Sequence, residues 1–301
     1  MLVIFFKKLK GYCTTIPSQI TGRVASYLHE KLHTSKNRKV PSDISVEGIL
    51  HFLERAEVKQ GDVLFVHSSW GNLNSGKFDA QELINSLLSY LGSDGTLAMP
   101  AIPNIPHVNG ALFKLKRTPS AAGLLTEVFR RYPDVKRSIN LNHSVCALGP
   151  QADFLTKDHH HSETSWDDMS PYYKLGQFEN AWIIGLGVGH RLKVATSLHC
   201  VESKLWKNNA YFNKLFKKQI CYNYVDELGN EGQHCYRQRF GQIYTPKIAK
   251  YFSKDELREE TVDGLEVYAV RAKVLIERSV ALGVQGKTMY VWPIPWPWLF
   301  K

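Results

Sequence analysis

The chain has 301 residues, is 44% hydrophobic and 22% charged, and carries a formal net charge of +10. This is ordinary globular composition, enough to bury one substantial core, with no repeat period, no low-complexity tract and no apolar run near the ~20 residues of a membrane span. The basic balance favours anionic ligands such as nucleotides, CoA, diphosphate-linked sugars or an acidic lipid surface, and nucleic acid is set aside because no RNP, KH or zinc-finger pattern is present.

Residues 1–41 read as a basic N-terminal extension. Met1 to Phe6, followed by Lys7 and Lys8, imitates a signal peptide. Here, however, the basic residues follow the apolar run, and no small-residue cleavage site comes after it. A cytoplasmic location is expected. The five cysteines (Cys13, Cys146, Cys200, Cys221, Cys235) agree with it, being odd in number, scattered and without a CxxC pair. The extension could be an interfacial foot on the inner face of a membrane or a helix packed on the protein's own surface.

The folded domain is expected over 42–288, starting with Ser42 as N-cap of a helix from Val46 to Ala56. Val63 to Val66 reads as a buried strand and Asp79 to Leu91 as an amphipathic helix. Gly92 to Gly95 turns the chain into a strand from Thr96 to Met99. A strand-helix-strand unit of roughly 40 residues makes α/β the expected class. Farther along, Gly123 to Arg131 reads as helix, Ser144 to Leu148 and Ala181 to Gly185 as strands, and Val194 to Leu205 as helix. Ile220 to Val225 enters a hairpin containing Gly229, and a last helix is expected from Glu266 to Leu282. Residues 289–301 form a Pro/Trp-rich tail; its prolines bar a helix through Val291 to Trp298 and predict an extended segment.

Four segments could carry chemistry. His67-Ser68-Ser69-Trp70 follows a strand end, where α/β proteins place ligands, and its hydroxyls could hold a carbonyl oxygen or simply cap a helix. Thr118, Ser120 and Gly123 precede a helix whose first amides could face an anion. Arg137 beside Ser138 would suit a phosphate or form a surface ion pair. His199 and Glu202, one helical turn apart, could form a general base with its orienting carboxylate, or an ion pair on a helix surface. His159-His160-His161 is expected in an exposed loop, since consecutive histidines rarely converge on one ion, and no metal is anticipated. Cys200 points away from His199 and reads as a buried thiol.

Together these segments resemble the aminoglycoside 3-N-acetyltransferase (antibiotic N-acetyltransferase) family. The resemblance rests on Gly61 to Ser69, Leu91 to Pro100, Arg117 to Ser120, Val135 to Pro150, Gly185 to Gly189, and Thr196 to His199 with Glu202. It extends from about Val46 to Leu282. It implies a single large α/β domain with a mixed sheet flanked by helices, and direct transfer of acetyl from acetyl-CoA to an amino sugar. His199 would be the base and Glu202 its orienting partner. His67, Ser68 and Ser69, with Trp70 beside them, would line the CoA arm. Thr118, Ser120, Gly123, Arg137 and Ser138 would complete the groove.

The chain departs from the family pattern at Asn140-Leu141, at Ala195, and at the basic residues Arg237 to Arg239. With the net charge of +10, the last of these suggests an acceptor carrying phosphate, such as a nucleotide- or lipid-linked amino sugar of surface-polysaccharide synthesis. Two rival readings are a serine hydrolase using Ser68 or Ser69 as nucleophile, and an inactive CoA- or sugar-binding relative.

Overall fold

The computed structural model describes residues 43–300. The reading of residues 1–41 as a membrane foot or surface helix therefore lies outside the described residues. Helix α1 spans Val46–Arg55, and its N-cap is Ser45, not Ser42: the Ser45 hydroxyl accepts the Gly48 amide at 3.0 Å. Ile49, Phe52 and Leu53 recur at helical spacing and are fully buried. Each such side chain contributes on the order of 1.5–3 kcal/mol. Strand β1 (Val63–Ser68) follows, then the one-turn helix α2 (Trp70–Leu73) and helix α3 (Ala80–Leu91). Asp79 caps α3 through the amides of Gln81 and Glu82.

The strands β2 (Thr96–Pro100), β3 (Leu112–Lys114), β4 (Lys136–Arg137), β5 (Val145–Leu148) and β6 (Ala181–Leu186) come next, with helix α4 (Leu124–Phe129) between β3 and β4. A 3₁₀ turn at Thr196–His199 leads into helix α5 (Cys200–Leu205). The C-terminal part holds β7 (Phe216–Val225), β8 (Glu231–Arg239), β9 (Gln242–Ile243), β10 (Leu257–Val262), β11 (Leu265–Arg271), helix α6 (Ala272–Val284) and β12 (Tyr290–Trp292).

The expected mixed sheet is present: among the described residues it has seven strands in the order β10-β11-β6-β1-β2-β5-β4. β1 runs parallel to β2 and β6, and the remaining pairs are antiparallel. Both faces are covered. Leu64 and Val66 of β1 join the core under α1 and α3, while Val63 and Phe65 join the core under α6 and the 196–205 segment. At Gly185 of β6 an added Cβ would stand 2.1 Å from the Tyr268 ring on β11, so only glycine fits there. A separate three-stranded sheet, β3-β7-β8, packs its own cluster around Phe113, Ile220, Tyr222 and Tyr236.

Several expectations are corrected. The helix expected from Glu266 begins only at Ala272, because Leu265–Arg271 is strand β11. Val267, Tyr268, Ala269 and Val270 are buried between β10 and β6, and an apolar run covered on both faces has no period that separates strand from helix. The helix expected from Val194 starts as the 3₁₀ turn at Thr196, since Arg191, Leu192 and Val194 all have positive φ. In the tail, Trp292 is extended, but Pro297–Phe300 forms a 3₁₀ turn; proline is tolerated at the first position because its missing amide has no partner to lose. Met289 and Tyr290, placed with the tail by sequence, are buried in the main core. The scattered cysteines conceal one pair: Cys221 on β7 faces Cys235 on β8, and the two are joined as a disulfide. Among the described residues, no helix is long and apolar enough to cross a membrane.

Candidate active site

The parallel arrangement of β1, β2 and β6 brings the residues after each strand to one edge of the sheet. His67-Ser68-Ser69, Ala101 and Gly187-Val188-Gly189 therefore lie at that edge, where α/β sheets take ligands. β5 runs against β2, so the residues just before it arrive at the same edge, and the Ala101 amide donates to the Ser144 carbonyl at 2.7 Å.

Two of the predicted segments meet there. The Thr196 amide donates to His67 Nε2 at 3.4 Å, which ties the end of β1 to the turn carrying His199. His67 is 1% exposed, and burial drives its pKa down to about 3. It lies beneath the loop and holds it as a neutral ring, instead of lining a groove as the resemblance implied. Ser68 and Ser69 remain partly exposed. Ser69 occupies the N-cap position of α2, yet its side chain makes no capping bond. Trp70 packs its ring against Phe78 at 6.3 Å.

His199 and Glu202 form the centre of the site. His199 Nδ1 lies 2.9 Å from Glu202 Oε1, and both residues are buried, so the surface ion pair is replaced by an internal one. Burial, reinforced by the Arg239 cation, lowers the His199 pKa against the opposing pull of Glu202. Burial alone would raise the Glu202 pKa, but His199, Arg239 and the Tyr290 hydroxyl outweigh it and hold the carboxyl below its ordinary value. The ring is thus a neutral imidazole donating its Nδ1 proton, with the Nε2 lone pair free of that bond. Trp166 covers one side of the ring at 4.8 Å, and His143 packs on Trp166 at 4.7 Å. The Cys200 thiol is fully buried, and burial pushes its pKa well up, so it is no nucleophile.

The second predicted group plays a supporting role. Arg137 is neither a surface ion pair nor a free phosphate ligand. Its guanidinium donates to the carbonyls of Ala101, Leu115 and Thr118 and to the Ser144 hydroxyl, and burial lowers its pKa to about 10. Thr118 Oγ1 accepts the Lys114 amide at 2.9 Å, and Ser120 Oγ accepts the Ala122 amide at 3.1 Å. Gly123 sits at φ +115°, a backbone conformation suited to glycine, at the start of α4. Ser138 is fully buried; its hydroxyl pairs with His159 Nδ1 at 2.8 Å and accepts the Val145 amide at 2.8 Å. His159 is therefore a core histidine, not part of an exposed loop. Its Nε2 faces the Ser165 carbonyl at 3.0 Å, and burial lowers its pKa to about 3. These residues brace the loops around the site. Arg137→Met is expected to destabilise the fold by about 3 kcal/mol in denaturant titration, because three carbonyls lose a charged donor.

Sequence reasoning missed Trp166, Tyr290 and Arg239's place in the site. Tyr290 donates its hydroxyl proton to Glu202 Oε1 across 88 residues of sequence, and Arg239 Nη1 donates to the same hydroxyl at 3.1 Å. No local spacing signals such a contact. Among the described residues, no hydrogen bond links Ser68 or Ser69 to a histidine, and no group of His, Cys, Asp or Glu is placed to hold a metal ion.

The family pattern described as aminoglycoside 3-N-acetyltransferase matches residues 65–282. Aminoglycoside N(3)-acetyltransferase IV of Salmonella sp is 32% identical over 149 residues, which cover 48% of this chain and 53% of the relative. The chain thus spans about half the length of that curated relative. The crystal structure of a mutant aminoglycoside acetyltransferase AAC(3)-IVa in complex with a gentamicin aligns with a TM-score of 0.66 at 22% identity, covering 80% of this chain and 89% of that one. The binary complex of AAC-IIIb with CoASH aligns with a TM-score of 0.65 at 18% identity, covering 82% and 98%. These likenesses establish the fold, and the match over 65–282 establishes the lineage: the chain belongs to the aminoglycoside 3-N-acetyltransferase family.

Proposed function

We propose that the protein transfers acetyl from acetyl-CoA to an amino group of a sugar, with His199 as general base. The observation that carries this reading is the buried His199–Glu202 pair, which commits Nδ1 to the carboxylate and leaves Nε2 to take a proton. An ammonium is no nucleophile until it loses that proton. The amine nitrogen then bonds to the acetyl carbon and gives up a second proton to solvent, the carbon–sulfur bond breaks, and His199 returns its proton to the departing thiolate. Ser68 and Ser69, whose hydroxyls are not spent on capping, would hold the thioester oxygen or the pantetheine arm. A cleft of about 310 Å³ sets Lys116, Arg130, Arg131 and Lys136 against Asp134 and Glu227; Glu127 engages both arginines, and the basic excess that remains suits the phosphates of CoA.

The acceptor we propose is an amino sugar carrying phosphate. Support comes from the net charge of +10 and from Arg237 and Lys207, which stack on Trp206 at 5.0 and 5.3 Å one turn beyond Glu202. Glu163 pairs with Lys207, so part of this charge is answered locally. The hydrolase reading lacks a serine–histidine pair at Ser68 or Ser69, and the inactive reading does not account for an intact base and carboxylate. Mass spectrometry of an amino-sugar panel incubated with labelled acetyl-CoA tests the proposal. Label on a nucleotide- or lipid-linked amino sugar is the expected result. Faster labelling of gentamicin would overturn the acceptor, and no labelled amine at all would overturn the activity.

A further inference from the structure

Behind His199 the structure holds a chain of buried polar groups that no local sequence feature announces. Glu202 Oε1 accepts two hydrogen bonds, from His199 Nδ1 at 2.9 Å and from the Tyr290 hydroxyl. Tyr290 in turn accepts from Arg239 Nη1 at 3.1 Å, and the Arg239 guanidinium lies 5.6 Å from the Tyr290 ring centre. Tyr290 is fully buried, while Glu202 Oε2 and Arg239 Nε are buried without a partner. Three elements far apart in sequence (α5, the end of β8 and β12) supply the members.

We propose that Arg239 and Tyr290 are positioning residues: they aim Glu202 at His199 and keep the imidazole available as a base. This rests on the acetyl-transfer reading of the same site. The argument is electrostatic. With His199 neutral, the buried trio of His199, Glu202 and Arg239 carries no net charge; once His199 takes a proton it carries one uncompensated positive charge away from water. Arg239 therefore opposes lasting protonation, so the ring releases its proton readily to the leaving thiolate. Tyr290 transmits the cation's pull and prevents Glu202 from turning its charge wholly onto the imidazole. The other titratable groups around the ring do not substitute for Arg239. His143 is buried with its pKa driven well below normal, Cys200 is held as a thiol by burial, and His67 is neutral beneath Thr196.

The test is an NMR titration of His199 in the full chain, which reads the ring whether or not acetyl is transferred. Arg239→Gln is expected to raise the His199 midpoint by about one pH unit, and Tyr290→Phe by about half a unit. Arg239→Lys, which keeps the charge, is expected to stay within about 0.3 unit of the parent. In the transfer assay the acid limb of kcat/KM should move up with the NMR midpoint, and the plateau rate above pH 8 should fall as Glu202 loses its aim on the imidazole. Should Arg239→Gln fail to fold, Tyr290→Phe and Arg239→Lys carry the comparison. A midpoint unmoved in every folded variant that loses the cation or the hydroxyl overturns the assignment, as does Arg239→Lys shifting as far as Arg239→Gln. A parent protein that transfers no acetyl to any amine, with the NMR shifts as expected, would sink the acetyl-transfer reading and leave this one standing.

Discussion

His199→Ala is expected to lower acetyl transfer by roughly 10²–10⁴-fold while CoA affinity stays within about twofold, the range typical of losing a positioned general base. The size of the effect follows from the geometry. Nδ1 is held by Glu202, so removal of the ring leaves no second imidazole oriented to accept the amine proton: His143 lies behind Trp166, and His67 is buried with Nε2 occupied by the Thr196 amide. The substitution also leaves Glu202 facing a void beside Tyr290. His199→Gln, which can still donate to Glu202, should therefore be as slow as His199→Ala but closer to the parent in stability. Thiol release from acetyl-CoA and calorimetry of CoA binding measure the two quantities separately. Turnover that survives both substitutions would show that the proton leaves by another route.

Acid should weaken the fold long before its carboxylates titrate. His67 and His159 are buried as neutral rings with pKa values lowered to about 3, and His143, His199 and His234 are shifted the same way by burial. Well above pH 6.5 neither the folded nor the unfolded chain protonates these rings, and their contribution is complete. Below it, the unfolded chain binds protons that the folded chain refuses, so stability falls as pH falls and continues to fall until the folded values near 3 are reached. Each such ring gives a slope of about 1.4 kcal/mol per pH unit. His67 and His159 alone thus remove about 4 kcal/mol between pH 6.5 and 5, a large share of the roughly 5–15 kcal/mol of a typical domain. Urea midpoints at pH 7.5, 6 and 5 measure the loss. A stability that is flat across this range would mean that the buried histidines are reached by solvent or protonated in the fold.

How far the architecture could be read from the chain depended on where its periodicity was unambiguous. Ile49, Phe52 and Leu53 announce α1, and Leu83, Ile84, Leu87 and Leu91 announce α3, because a one-sided helix leaves a clear stripe. β11 was misread for the opposite reason: two buried faces erase the stripe. The Cys221–Cys235 pair lay within reach, since the two residues are equidistant from the turn around Leu228 and hairpin register sets them face to face. His199 and Glu202 were legible because helical spacing puts them together. Arg137, Ser138, Thr118 and Ser120 are read from the resemblance as completing the CoA groove, but their hydrogen bonds turn inward, largely to the backbone, which residue type alone does not reveal. Tyr290 and Arg239 are beyond reach because β8 and β12 belong to separate small sheets and only the tertiary fold brings them to α5.

The outer strand of the large sheet has a consequence for how copies of this protein meet one another. Among the described residues β10 pairs with β11 alone, and a strand with a free edge is a template for intermolecular sheet growth. Here that edge is guarded. Glu260 and Arg258 reach across to Arg55 and Glu57, His190 Nε2 faces the Glu260 carbonyl at 2.8 Å, and Glu259 takes the Arg191 amide. Such exposed pairs add under about 1 kcal/mol each to stability, but they fill the edge with charge and side-chain bonds that an incoming strand would have to displace. At the far end the sheet stops on β4, only two residues long. Among the described residues both margins therefore resist strand-to-strand aggregation, at little expense to the buried core.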